Sequence, residues 1–320
     1  MNIYISTWFY ESPKGENVYY PGVGDKSDTW DFQKIYWNCI YSFFKTARQH
    51  CKSADNINFK FLLFLNGDIP NKGLYGNGFE PEKFFSDNDV DLIKFDPKHI
   101  PSDDGLKTFR TQFVMIDILK KMQFLMNPDD LFLILDSDCI FVKPIPVESF
   151  DDLAVRGIQF IPNSWSESDV SNGLNNRQFN EIGEKLSPEI HKKINYFCGG
   201  EYFGFSFDKL VEFNKRVEDL YAANFCLDFQ LQTEEQLFTL CLNLMRDRDF
   251  SDASKFIRRV WTDAEKFRNA QECDDCLSVL HLPAEKNKGF YKFSEEYIFG
   301  ENNKQNHFNY ADLKIMFNLA

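Results

Sequence analysis

The run DDLFLILDSDCIFVKPI, residues 129–145, places five apolar residues, Leu131 to Leu135, directly before Asp136, Ser137 and Asp138. On an extended strand, side chains two positions apart project to the same side, so the two carboxylates at its end face one another and repel. A divalent cation relieves that repulsion. Mg2+ and Mn2+ bind through one or two carboxylates together with the phosphate oxygens of a substrate. The pair therefore points to a hard metal ion and a phosphate-bearing ligand, against the simpler alternative of a strand that runs into a solvated acidic turn.

The surrounding chain supplies elements that hold such a strand. Residues 2–10 (NIYISTWFY) are rich in β-branched and aromatic residues and predict a strand, followed by a loop with Pro13, Gly15, Pro21, Gly22 and Gly24. From Asp31 to about residue 51 a helix is expected, because Phe32, Ile35, Tyr36, Cys39, Ile40 and Phe43 recur at three and four. Residues 58–68 (NFKFLLFLNGD) form a nearly continuous apolar run, as in a strand covered on both faces. A third strand is expected over 90–96. A helix over about 105–126 sets Phe109, Phe113, Ile116 and Leu119 on one side, with Lys107, Arg110 and Lys121 elsewhere. This alternation builds an α/β fold with a mostly parallel sheet, and ligands of such sheets bind beyond the carboxyl ends of the strands, where Asp136 and Asp138 fall.

After Pro146 the character changes. Residues 162–195 are polar and Asn/Ser-rich and suggest a mobile surface insertion. Residues 195–221 read as a strand with a glycine pair, a second strand and a helix, and the remainder as mainly helical with one strand at 277–282. The division expected is a donor-binding half, 1–146, and an acceptor-binding and catalytic half, 147–320, joined as one intimate unit.

Composition narrows the function. With 43% apolar residues and 17% aromatic residues the chain has material for a core, and disorder is excluded as its general state. A net charge of -13 argues against a nucleic-acid partner, whose phosphates need a basic face. The eight cysteines are scattered without a secreted disulfide framework, which favours a reducing compartment. The N-terminus lacks a signal-peptide pattern, no apolar run has the length of a membrane span, and no Asn-X-Ser/Thr acceptor occurs.

In the order of its motifs the chain resembles the nucleotide-sugar glycosyltransferases of the GT-A fold, among them glycogenin and bacterial glycan enzymes. The resemblance covers most of the chain. It is carried by the N-terminal strand and helix, LDSDCIF (135–141), the glycine pair of CGGEYFGF (198–205), TEEQ (233–236) and HLPAEKNKGF (281–290). It implies a Rossmann-like, mostly parallel sheet flanked by helices with a largely helical C-terminal part.

It also implies roles. Asp136, Asp138 and His281 would hold Mn2+ or Mg2+ on the diphosphate of a nucleoside-diphosphate sugar, a UDP-sugar foremost, with Ser137 between the carboxylates. Lys107, Arg110, Lys286 and Lys288 would reach the phosphates, although the lysines and Gly289 depart from the order and spacing found in glycogenin-like members. Ser6, Thr7, Trp8 and Tyr10 would meet the base and ribose. Gly199 and Gly200 let backbone approach a ligand, and Glu201 would accept hydrogen bonds from sugar hydroxyls. Glu234 or Glu235 would take the acceptor proton in an inverting reaction, against a reading in which Thr233 and the acids merely cap a helix. The activity implied is transfer of a sugar to a glycan or other hydroxyl acceptor in bacterial surface-glycan assembly, in the cytoplasm or peripheral to the membrane.

Two other classes compete. A haloacid dehalogenase-like phosphatase would use Asp136 as nucleophile, but about 130 residues precede the motif, Cys139 follows it, and no matching downstream acid pair is present. A non-catalytic binding protein would keep the GT-A fold without turnover or hold zinc at Cys273 and Cys276, and one C-x-x-C is half a zinc site.

Overall fold

The computed structural model describes residues 1–320 apart from 17, 19, 21, 22, 25, 54, 55, 72–74, 76, 77, 102–108, 188, 191–193, 228, 229, 301–307 and 320. In chain order the first elements are β1 (Asn2–Phe9), α1 (Trp30–His50), β2 (Asn58–Leu65), α2 (Pro81–Asp87), β3 (Val90–Lys94), α3 (Met115–Gln123), β4 (Leu131–Leu135) and β5 (Cys139–Phe141). Next come α4 (Val147–Arg156), β6 (Ile158–Ser164), β7 (Val170–Ser171), β8 (Leu174–Asn175), α5 (Asn176–Leu186), β9 (Tyr196–Ser206), α6 (Phe207–Asn224) and α7 (Glu234–Asn243). Short strands β10 (Phe250–Asp252), β11 (Ile257–Arg259), β12 (Thr262–Asp263), β13 (Phe267–Arg268) and β14 (Val279–His281) precede α8 (Gly289–Phe293) and α9 (Tyr310–Met316). The fold is mixed α/β, with a central, mostly parallel sheet of seven strands flanked by helices. Among the described residues no helix is long and apolar enough to cross a membrane.

Two compact units form. The first comprises Met1–Lys94, Ile134–Val147 and Lys255–Ala320. In it β1 runs parallel to β2, from Asn2 opposite Asn58 to Phe9 opposite Leu65, and β2 runs parallel to β3. Helix α1 starts where the Thr29 hydroxyl accepts from the Phe32 amide, and it buries Trp37, Ile40, Phe43 and Phe44. That face meets β5: the Phe141 amide donates to Thr46 Oγ1 at 3.1 Å, and the rings of Phe43 and Phe141 pack edge to face at 5.4 Å. Strand β5 pairs antiparallel with β14, which pairs parallel with β11.

The second unit comprises Phe95–Leu133 and Glu148–Ser254. Strand β6 pairs antiparallel with β9 and parallel with β10. Helix α6 packs on α3, where Asn214 Nδ2 donates to the Leu119 carbonyl at 3.1 Å. Phe203, Phe205, Phe213 and Phe238 interlock between β9, α6 and α7 with centroids 5.1–5.2 Å apart. All five residues of β4, whose first three belong to this unit and last two to the other, are buried.

Three local expectations are revised. The glycine pair lies inside a single strand, β9, with no residue of positive φ, but the ladder with β6 shifts register there, from Phe203 opposite Phe160 to Cys198 opposite Pro162. The segment expected to be a mobile insertion instead carries the β7–β8 hairpin and α5, whose start is a capping box of Asn175 and Gln178. Trp165 anchors it, with its ring 4.9 Å from Phe179 and 5.7 Å from Phe197. The tail expected to have one strand has five among its described residues, each of two or three residues, too short for periodicity to show.

All eight cysteines are free: Cys226, Cys273 and Cys276 are exposed and the other five buried. Burial pushes the thiols of Cys39, Cys51, Cys198 and Cys241 up, which keeps them protonated and unreactive. Thiol titration of the native protein should therefore give three fast-reacting groups and all eight in denaturant. Fewer than three fast groups, restored by reductant, would contradict the free state of the exposed set.

Candidate metal centre

Strand β4 delivers Asp136 to a turn, closed by the Cys139 amide donating to the Asp136 carbonyl at 3.2 Å, so Asp138 follows within one tight reversal. Asp138 is buried and Asp136 half-buried. The pairing of β5 with β14 sets His281 opposite Cys139, and the Leu282 amide donates to the Asp138 carbonyl at 2.9 Å. This register brings a histidine from 143 residues downstream against the carboxylates. His281 Nε2 lies 3.0 Å from Asp138 Oδ2 and 3.4 Å from Asp136 Oδ2.

The three side chains fit a divalent cation. Their candidate ligand atoms lie within 4.8 Å of one another. Adjacent octahedral ligands at about 2.1 Å from Mg2+ are separated by about 3 Å, close to the His281–Asp138 distance of 3.0 Å. One imidazole and two carboxylates suit Mn2+ or Mg2+. His281 Nδ1 is buried without a hydrogen-bond partner among the described residues, so the ring is oriented from its Nε2 side.

Lys286 completes the cluster. It follows the helical turn Pro283–Glu285, and its ammonium donates to Asp138 Oδ2, the oxygen that His281 also faces. Glu285 fixes the turn: it is buried, accepts from the Thr262 hydroxyl, and accepts from the Gly289 amide at 3.0 Å. Burial opposes the charged form of Asp138, but Lys286 and His281 outweigh it and hold the carboxyl well below the usual range. Burial likewise pulls the Lys286 ammonium down, and Asp138 more than restores it, so the net shift is upward and the group stays charged.

Helix α1 contributes two neighbours that periodicity in the sequence assigned only to a buried face. The Tyr36 ring lies 6.0 Å from the Lys286 ammonium, and burial, then Tyr20 and Asp138, push its hydroxyl well above the phenol range. Cys39 is raised by burial and then by Asp138. No motif marks either residue in the sequence.

The other expected residues are placed as follows. Ser137 is buried between the two carboxylates. Lys288 is exposed. On β1, Ser6 and Thr7 are buried and Trp8 half-buried, while the Tyr10 hydroxyl just beyond it donates to Glu16 at 3.0 Å. In the second unit Arg110 is buried and donates to the Pro101 carbonyl at 2.9 Å. Lys107 lies outside the described residues.

The second unit gathers Glu201, Glu234 and Glu235 around Gly199 and Gly200. Thr233 caps α7 by accepting from the Gln236 amide, which places Glu234 and Glu235 in the first turn, where the helix dipole favours anions. Strand β9 is tied to that turn: the Cys198 amide donates to Thr239 Oγ1 at 3.1 Å, and the Cys198 thiol donates to the Glu235 carbonyl at 3.3 Å. A Cβ on Gly200 would sit 3.4 Å from an oxygen of Glu234 and of Glu235, and one on Gly199 only 2.5 Å from Glu201 Oε2. Glycine is thus required at 199, where a Cβ would collide with the Glu201 carboxylate, whereas at 200 a Cβ would make ordinary contact with Glu234 and Glu235. Capping and carboxylate clustering occur together, and neither excludes the other.

No protein-family model matches the sequence, and no curated protein matches it. Among solved structures the fold is similar to mouse xyloside xylosyltransferase 1 in its apo form, with a TM-score of 0.50 and 8% identity over 89% of this chain and 99% of that one. The likeness is one of fold, and the neighbour is a glycosyltransferase.

Calorimetry should show Mn2+ binding to His281→Gln weakened by at least about tenfold, and unchanged affinity would remove His281 from the ligand set. Gly199→Ala, which must displace the buried Glu201 carboxylate, should cost about 1–3 kcal/mol in chemical denaturation. Gly200→Ala should stay within about 0.5 kcal/mol of wild type.

Proposed function

We propose that the chain is a metal-dependent glycosyltransferase that moves a sugar from a nucleoside-diphosphate donor to an acceptor hydroxyl. The observation that supports this best is the convergence of Asp136, Asp138 and His281 at the carboxyl end of an apolar strand, in a fold similar to that of a glycosyltransferase. Two carboxylates and an imidazole suit a hard cation that shares its coordination with diphosphate oxygens. Bound there, Mn2+ or Mg2+ would supply Lewis-acid neutralisation of the charge that grows on the leaving diphosphate.

The chain's own residues account for the remaining steps. Lys286 and Arg110 are assigned to the phosphates as positive charge. Lys288, exposed, and Lys107 complete the assignment to the donor, with Thr7, Trp8 and Tyr10 at the base and ribose. As the acceptor oxygen bonds to the anomeric carbon, the bond from that carbon to the diphosphate oxygen breaks and its electron pair leaves with the diphosphate. Glu235, half-buried in the first turn of α7, takes the acceptor proton, and Glu201 holds sugar hydroxyls. A UDP-sugar is the donor we favour, and bacterial surface-glycan assembly the setting.

The test is thermal unfolding against nucleotides and nucleotide sugars, a xylose donor included, with and without Mn2+, on wild type and Asp138→Ala. Ligand at about a hundred times its dissociation constant adds roughly 2.7 kcal/mol of stability. Stabilisation that needs both Mn2+ and a nucleoside diphosphate, and disappears in Asp138→Ala, is the expected result. A response to none of them overturns the assignment and favours phosphatase or binding-protein chemistry.

A further inference from the structure

One oxygen of the candidate centre already faces both an imidazole and an ammonium. Asp138 Oδ2 is 3.0 Å from His281 Nε2 and also accepts from the Lys286 ammonium. The Asp138 side chain is 3% exposed and that of Lys286 16%, so water screens their attraction little. A metal ion chelated by Asp138 and His281 would draw on the same carboxylate, and two cations cannot share one buried oxygen without strong repulsion.

The position of Lys286 is built. Glu285 is pinned by Thr262 and by the Gly289 amide, which fixes the turn that sends the next side chain to Asp138. The ammonium also lies over the face of Tyr36, 6.0 Å from the ring centre, which attracts a cation.

We infer that Lys286 is a built-in competitor for the metal: its ammonium neutralises Asp138 when no divalent ion is bound and leaves Oδ2 when one binds, so this residue sets the affinity of the centre. The inference rests on the metal centre proposed above. It makes the lysine a positioning residue for the ion, with an effect that is visible without donor or acceptor. It also explains why the buried Asp138 carboxylate tolerates the metal-free state: Lys286 supplies the missing positive charge.

The experiment is Mn2+ titration of the full chain by calorimetry and electron paramagnetic resonance, with no nucleotide present. It compares wild type with Lys286→Met, Lys286→Gln, Lys286→Arg and Lys292→Met, the last removing an exposed charge on α8. Lys286→Met and Lys286→Gln should bind Mn2+ about tenfold tighter, within the usual range of coupling between ligands. Lys286→Arg and Lys292→Met should stay near wild type. In parallel, metal-free Lys286→Met should melt below wild type and gain more from saturating Mn2+, whereas a merely structural lysine would lower both melting points equally.

Equal or weaker Mn2+ binding by the Met and Gln variants, with wild type binding normally, overturns the competition and leaves the metal centre standing. Absence of Mn2+ binding in wild type and in every variant overturns the metal centre and this inference with it. A Met variant that does not fold leaves the decision to Lys286→Gln.

Discussion

Two carboxylates placed at the end of a buried strand repel one another, and much of the first unit is arranged around that repulsion. Asp138 is an anion with almost no access to water. An isolated buried charge costs several kcal/mol after relaxation, and only close, well-aligned partners offset it. Those partners come from His281 and Lys286, both distant in sequence. The β5–β14 pairing and the turn at Glu285 are therefore conditions for keeping Asp138 ionised as much as they are pieces of fold.

The unit that brings these partners together is discontinuous in sequence. Residues 255–320 belong with the N-terminal strands and with residues 134–147. Helix α1 backs this arrangement from the other side: Thr46 accepts from the Phe141 amide, and Ser294 donates to the Asn38 carbonyl at 3.3 Å. A helix that supports β5 in this way carries Tyr36 and Cys39 to the electrostatic reach of Asp138. Core and site are here one packing problem.

What the sequence displays follows from the range of each interaction. The five-residue apolar run and the period of α1 are local, so β4 and the helix are legible, as is the α/β alternation. The Asp136–Asp138 spacing is local too. His281 is legible only through a family resemblance, because its meeting with Asp138 depends on a strand of three residues and a register that no period encodes. Choosing between Lys286 and Lys288 needs the turn geometry, which directs one to Asp138 and leaves the other exposed. The extent of β9 is hidden for the opposite reason: a Gly–Gly pair signals a turn locally, yet here it falls at a register shift within one strand, with Gly199 making room for Glu201.

The second unit handles negative charge by different means, and the difference bears on which group moves a proton. Helix α7 holds Glu234 and Glu235 in its first turn, and Gly199 of β9 leaves room for the Glu201 carboxylate. Exposure then separates the carboxylates: Glu201 is 2% and Glu234 4% exposed, whereas Glu235 is half-buried. A proton acceptor must meet its donor within hydrogen-bond reach, so a carboxylate sealed from solvent is poorly placed to receive an incoming acceptor. Cys198, the one thiol bonded into this turn, is held protonated first by burial and then by Glu235, which removes it as a nucleophile. Among these groups Glu235 alone combines a first-turn position with access, which is why the proposed reaction gives it the acceptor proton.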